Sequence, residues 1–380
     1  MIKSDFGIKA LKLHKKLKGK IEISLKAPIV SLEDLKIFYT PGVGAVASHL
    51  AKHPEDLSEM TIKNNTILIV SDGSAVLGLG NIGPGGALPV MEGKAMIFKQ
   101  FAGINAFPLV LATQDADEIV KTIQYLSPAF GGINLEDISA PRCFDIEERL
   151  IDSLDIPVMH DDQHGTAIVV LAGLINAFKA SRRELQKSKI VILGAGAAGA
   201  AIAKMLKKAG IKEIIVIDRK GIIAPGRGDL NFSKKELAEI TNPKNIKGEF
   251  KDAIQDADAV IGVSGPGLIK YEHIKLMAKN PIVFALANPT PEIMPQEARR
   301  GGAFIIATGR SDFPNQINNA LAFPGVFRGA LDNKVKKITD QIKMKAAYAI
   351  ASMIKKPTPR NIVPSIFNKK LVKTVAKVIK

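Results

Sequence analysis

The sequence has no tryptophan, four tyrosines, one cysteine, and no uninterrupted apolar run of the roughly 18 residues needed to cross a bilayer. Each absence excludes something. With Cys143 alone, one chain forms neither a disulfide nor a multi-cysteine metal centre, which agrees with a reducing compartment; the thiol reads as a small buried hydrophobe. The N-terminal "MIKSDFGIKALKLHKKLKGKIEI" carries lysines but no apolar stretch followed by small residues, so no secretory signal is expected and a cytoplasmic location is. There is no internal repeat and no low-complexity linker. Aromatic residues make up only 5% of the chain, and its lysines are dispersed, so the net charge of +16 does not suggest a nucleic-acid groove. A solvated basic surface that draws small anions toward a cleft fits better.

A chain of 380 residues, 46% hydrophobic and 24% charged, is long enough for two domains with their own cores. The first 60 or so residues read as helical and turn-rich, with "YTPGVG" as punctuation. Strands and helices then alternate: "NTILIVSDG" as a buried strand, "MEGKAMIFKQFAG" as a helix, "INAFPLVLATQD" as a strand, and "IPVMHDDQH" returning toward the sheet. The expected fold is α/β: an N-terminal α/β substrate domain with a parallel sheet over residues 1–163, then a Rossmann-type dinucleotide-binding domain with C-terminal helices over 164–380.

The second domain opens with "KIVILGAGAAGAAIAKMLKKAGIKEIIVID". Lys189–Leu193 reads as a strand, Gly194-Ala195-Gly196-Ala197-Ala198-Gly199 as the turn, Ala200–Ala209 as a helix and Glu213–Asp218 as the next strand. Gly194 permits the tight turn, Gly196 lets the backbone approach a pyrophosphate, and Gly199 allows close helix packing. Asp218, ending its strand, suits the adenosine ribose hydroxyls. This leans toward NAD⁺ over NADP⁺, although Arg219 and Lys220 could meet a 2′-phosphate. A second glycine pattern, Gly78-Leu79-Gly80-Asn81-Ile82-Gly83, lacks the following strand at the right distance. It reads as an active-site loop or a plain turn.

In "VMHDDQHGTAIVVLAGLINAF" two acids stand side by side before a long apolar run. Adjacent carboxylates at a buried element call for a cation, a metal ion or a lysine. His160 and His164, four residues apart, raise zinc, but Asp161 is shorter than the glutamate of such motifs and Gly165 falls where their helix continues. Hard oxygen donors fit better, with Glu136 and Asp137 of "NLEDIS" joined by Asp162 as a three-carboxylate site for Mg²⁺ or Mn²⁺. Lys94 opens an apolar helix after a glycine-rich stretch, where it is either a buried amine whose lowered pKa makes it a base or an ordinary lysine snorkelling to the surface.

The ordered motifs "FYTPGVG", "SDGSAVLGLGNIGPGGALPVMEGK", "NLEDISAPRCFDIEERL", "HDDQHGTAIVVLAGLINA", "VILGAGAAGAAIA", "ALANPTPEIMP" and "RSDFPNQINNALAFPGVFRGALD" resemble the malic enzymes, in their short prokaryotic form. The resemblance runs over residues 15 to 375. It implies oxidative decarboxylation of L-malate to pyruvate and CO₂ with NAD⁺ or NADP⁺ and Mg²⁺ or Mn²⁺. It further implies Glu136, Asp137 and Asp162 as metal ligands, Lys94 paired with Asp161 as general base, and Tyr39 as general acid. Asn288 and Asn318 are implied at the nicotinamide ribose and the substrate carboxylate, and a homodimer or higher homo-oligomer is expected, without a membrane or nucleic-acid partner. One departure concerns substrate binding: larger members carry an arginine where this chain has Ser74, Ala75 and Val76, so backbone amides, Asn318 or a lysine must hold the carboxylate. The rival activities are a malolactic conversion of malate to lactate with retained cofactor and a non-catalytic dinucleotide-binding regulator.

Overall fold

Thr66–Ser71, "TILIVS", is apolar and β-branched along its length, and it forms a strand buried on both faces, β1. The structure, a computed structural model, describes residues 5–380. β2 (Asn105–Val110), β3 (Gly132–Leu135) and β4 (Val158–His160) join β1 in a sheet of order β2-β1-β3-β4, with every pairing parallel. A second sheet holds β5 (Lys189–Leu193), β6 (Glu213–Asp218), β7 (Gly221–Ile222), β8 (Ala259–Gly262), β9 (Ile282–Ala285) and β10 (Ile305–Thr308). Its order is β10-β9-β8-β5-β6-β7, and β7 alone runs antiparallel. The α/β fold expected from the sequence is therefore present, with a parallel sheet followed by a Rossmann-type one.

Parallel strands need crossovers, and helices supply them. Before β1 come α1 (Asp5–Leu17), α2 (Leu32–Phe38), α3 (Gly42–Lys52) and α4 (Leu57–Met60); no described residue ahead of Thr66 is buried. α5 (Gly83–Ala102) begins well ahead of the segment read as helical, because Pro84 fits the first turn, where no N–H is required. α6 (Ala116–Leu126) and α7 (Arg142–Ser153) cover one face of the first sheet, packing Ile119, Ile123, Ile146 and Leu150 on Leu68, Val70 and Ile133.

The long apolar run after the acid pair is α8 (Asp161–Ala180), buried along most of its length because it lies between the two sheets. One continuous core joins Ile67 and Ile69 of β1, Val169 and Leu171 of α8, and Ile190 and Ile192 of β5. α9 (Ala197–Lys208) starts at Ala197 and not at Ala200, since Gly196 in extended conformation already serves as its N-cap. α10 (Phe232–Ile240), α11 (Phe250–Ile254), α12 (Tyr271–Lys275) and α13 (Pro295–Arg300) follow, and α14 (Phe323–Asp332), α15 (Asp340–Ser352) and α16 (Leu371–Ala376) close the chain. α15 packs along α8, and α14 meets α5.

Candidate active site

Strand register brings the acids together. β3 and β4 pair in parallel with Leu135 opposite His160. The next two residues of each strand, Glu136-Asp137 and Asp161-Asp162, therefore leave the C-terminal edge of the sheet side by side, where open α/β sheets bind ligands. Single carboxylate oxygens of Glu136, Asp137 and Asp162 lie within 4.8 Å of one another. Asp137 has φ of 54°, a left-handed conformation that Asp tolerates better than most residues, and its N–H donates to Asp162 Oδ2 at 2.8 Å. Lys94 arrives from α5 with Nζ 2.5 Å from Asp161 Oδ2 and 2.7 Å from Glu136 Oε1. The same ammonium lies 4.2 Å from the centroid of the Phe323 ring, whose face favours a cation.

One ammonium faces four carboxylates. Burial pushes Glu136 up to about 7 and Asp137 up to about 9, with repulsion from Asp162 adding to both. Burial likewise raises Asp161 to about 6 against the pull of Lys94, and raises Asp162. For Lys94 burial acts downward, but the charges of Asp161 and Glu136 outweigh it and hold the amine well above its ordinary value. This reverses the lowering expected from burial, because a buried lysine with two carboxylate partners keeps its proton.

With all four acids ionised the cluster carries three uncompensated negative charges, and Asp137 Oδ2 is buried without a hydrogen-bond partner. Hard oxygen donors short of positive charge suit a divalent cation such as Mg²⁺ or Mn²⁺. The histidines take no part: among the described residues the three-ligand grouping is Glu136, Asp137 and Asp162, and His164 Nε2 instead donates to Glu147 at 2.9 Å.

Glu136, Asp137 and Asp162 form one wall of a cavity of about 920 Å³, and Gly196, Ala197, Ala198, Asn288 and Asn318 of the Rossmann-type half form another. Gly194 has φ of 126°, and a Cβ there would stand 2.6 Å from Val263 O; a Cβ at Gly199 would stand 1.9 Å from Gly194 O. Those two glycines are thus required by the turn and by its close helix, while Gly196 faces open space. Asn318 Oδ1 accepts the Ala320 N–H at 2.9 Å. Asn288 is held between two glycines, since a Cβ at Gly78 would fall 2.3 Å from its O and one at Gly309 would fall 2.5 Å from its Nδ2. The second glycine pattern is therefore a loop after β1 pressed onto the segment after β9, and its Gly78, with the preceding Leu77, lines the cavity.

Asp218 ends β6 beside a neighbouring cavity of about 540 Å³ that also touches Gly194, Ala195, Gly196, Arg219 and Lys220. Its Oδ2 accepts from Arg227 Nη2 and Lys234 Nζ, each at 2.6 Å, and its Oδ1 accepts the Lys220 N–H at 2.9 Å. Partial burial opposes ionisation, but Arg227 and Lys234 outweigh it and hold the carboxyl near 2.

Several contributors carried no sequence signal. Arg142 Nη2 donates to Asp72 Oδ2 at 2.6 Å and to Ser74 Oγ at 3.0 Å, while Ser74 Oγ also accepts the Ser139 N–H at 2.9 Å. An arginine from α7 thus braces the loop that carries Asp72 and Ser74. Lys20 lines the main cavity and donates to Pro89 O at 2.6 Å. Tyr39 is not brought to the cluster within one chain: it is 65% exposed and does not line the cavity.

Comparison with known proteins gives concordant matches. The family described as "Malic enzyme, NAD binding domain" matches residues 163–379, and that described as "Malic enzyme, N-terminal domain" matches 18–117 and 112–151. An NAD-dependent malic enzyme of Geobacillus stearothermophilus is 53% identical over 95% of this chain and 76% of its own length. A bifunctional malic/malolactic enzyme of Bacillus subtilis is 50% identical over 97% and 91%, and an NADP-dependent malic enzyme of Halomonas elongata is 45% identical over 93% and 84%. The crystal structure of an NAD-dependent malic enzyme from Thermotoga maritima superposes with a TM-score of 0.95 at 49% identity, covering 98% of both chains.

Proposed function

This chain belongs to the malic enzyme family of NAD(P)-dependent malate oxidoreductases, and from that premise we propose that it converts L-malate to pyruvate and CO₂ with Mg²⁺ or Mn²⁺ as its metal. The carrying observation is the arrangement of Lys94 between Asp161 and Glu136, at the wall of a cavity whose far side is the glycine turn. Glu136, Asp137 and Asp162 would hold the cation. When bound, the cation would polarise the C2 hydroxyl and steady enolate charge, and the nicotinamide would accept hydride.

The side chains divide the remaining work. Lys94 takes the C2 hydroxyl proton. Its own proton must first leave: a bound cation would add positive charge to the cluster and weaken the lysine's hold on that proton, and Asp161, with Oδ2 2.5 Å from Nζ, is the hydrogen-bonded acceptor. Tyr39 returns a proton to C3 after the C4 carboxylate is lost. Asn288 reaches the nicotinamide ribose, and Asn318 together with Lys20 takes over the carboxylate contact of the missing arginine. The dinucleotide turn is Gly194 to Gly199, including Ala195, Ala197 and Ala198. Because Arg227 and Lys234 already neutralise Asp218, both NAD⁺ and NADP⁺ are expected to be accepted.

The working unit is proposed to be a homodimer. Phe6, Ile23, Leu25, Val30 and Leu32 are each more than three-quarters exposed, an apolar display larger than a monomer ordinarily leaves in water. Tyr39 belongs to that same arm. A second copy of this chain covering the arm would bury it and present Tyr39 to the partner's cavity, and two-fold symmetry would make the exchange mutual.

The deciding assay supplies L-malate, Mn²⁺ and either cofactor, and follows reduced cofactor, pyruvate and lactate together. Equal yields of pyruvate and reduced cofactor support the reading. Lactate without net reduced cofactor would move it to the malolactic reaction, which the bifunctional relative makes the second candidate.

A further inference from the structure

A buried acid that reaches neither cavity nor solvent needs a reason, because burying a carboxylate is costly unless its hydrogen bonds are met. Glu147 on α7 is 5% exposed and is not among the residues lining the main cavity. Its Oε1 accepts the His160 backbone N–H at 2.7 Å. Its Oε2 accepts from Gln163 Nε2 at 3.1 Å and His164 Nε2 at 2.9 Å. These three donors flank Asp161-Asp162 on both sides. The carboxylate therefore grips the point where β4 turns into α8, directly beneath the two acids.

A cation from the far end of the chain stands behind this carboxylate and acts on it through its charge. Lys343 of α15, 7% exposed, stands with Nζ 3.3 Å from His164 Nε2, and its neighbour Asp340 pairs with Lys208 of α9. Burial opposes the charge on Glu147, but His164 and Lys343 outweigh it and hold the carboxyl near 2. Glu147 is thus an ionised, acceptor-only group, and its three donors leave little freedom in how the first turn of α8 is aimed.

We infer that Glu147 is a positioning residue for the reaction: by fixing His160, Gln163 and His164 it sets at once where Asp162 points into the carboxylate cluster and where Asp161 meets Lys94. This rests on the metal-dependent reading above. Glu147 touches no proposed ligand itself and acts through the turn that carries Asp162, one step further out than the direct partners of metal ligands, whose loss commonly costs about 10- to 100-fold in affinity. A purely structural role would instead loosen the α7, α8 and α15 packing and disturb both domains together.

The test is Mn²⁺ binding to the cofactor-free protein by electron paramagnetic resonance, alongside NAD⁺ binding by calorimetry and the thermal midpoint. Glu147→Gln keeps the shape but puts an amide where acceptors are needed. It should weaken Mn²⁺ by about tenfold, the lower end of what loss of a ligand's direct partner costs, and raise the KM for Mn²⁺ in parallel, with NAD⁺ affinity held within about twofold. Unchanged Mn²⁺ affinity overturns the role, and so does an equal loss of Mn²⁺ and NAD⁺ affinity. Should that variant not fold, Gln163→Leu removes one donor and leaves the carboxylate; weakened Mn²⁺ binding with NAD⁺ unaffected supports the role, and any other result overturns it. Wild-type protein that binds no Mn²⁺ would sink the metal reading itself, a failure distinct from that of Glu147.

Discussion

Lys94 is held between Asp161 and Glu136 and keeps its proton in the ligand-free chain, so its fitness as a base depends on what shares the cluster with it. Lys94→Ala removes the ammonium held by Asp161 and Glu136 and should lower kcat for malate oxidation by about 10²- to 10⁴-fold; near-wild-type turnover would sink the assignment. The acids themselves make stability depend on pH and metal. Glu136 and Asp137 have folded values near 7 and 9, above their ordinary 4.5 and 3.8, so the folded state holds more protons than the unfolded one between about pH 4 and pH 9. Their contribution is complete below the unfolded values and is lost as pH rises through the folded ones. A bound cation replaces those protons, so the rise in Tm from saturating Mg²⁺ should be larger at pH 9 than at pH 6. Scanning calorimetry with Mg²⁺ or with chelator at both pH values decides this, and an equal or smaller gain at pH 9 would refute it.

At the scale of the elements, Gly165 shows how a helix is shaped around one side chain. A Cβ there would fall 1.8 Å from Asp161 Oδ1 and 3.1 Å from Asn319 Cβ, so Gly165→Ala must swing Asp161 away from Lys94. Helix propensity alone would favour Ala by about 1 kcal/mol. The displacement of a reacting group should nevertheless cost about 100-fold in kcat, and an unchanged kcat would mean that Asp161 tolerates the shift. Gly165 was legible only as a break in a zinc motif, since nothing in sequence spacing reveals which atom a missing Cβ makes room for. The acid pairs were more legible, because each follows a short apolar strand. That they meet is a matter of register, Leu135 opposite His160, which one sequence does not contain. The glycine turn was readable for the opposite reason, since strand, turn, helix and strand are contiguous and each glycine answers a local steric demand. Arg142, Asp72 and Glu147 were silent because their partners are joined through the sheet and not along the chain.

At the scale of the whole molecule, the two sheets share one core, yet no described residue before Thr66 is buried. An arm that stays apolar and uncovered while carrying the proposed acid, Tyr39, is economical only if another copy covers it. Such an exchange of arms would have a quantitative consequence. Tyr39→Phe and Lys94→Ala each disable the enzyme by a different defect, and mixing them in equal amounts with subunit exchange yields mixed dimers as about half of the population. If Tyr39 serves the partner's cavity, each mixed dimer has one site with both groups intact and one with neither, so activity should return to about a quarter of wild type. If Tyr39 serves its own chain, every site keeps one defect and mixing restores nothing. Activity of the mixture, read beside each variant alone and with dimer formation followed by light scattering, separates the two arrangements. A monomer under assay conditions would remove the partner from the mechanism altogether.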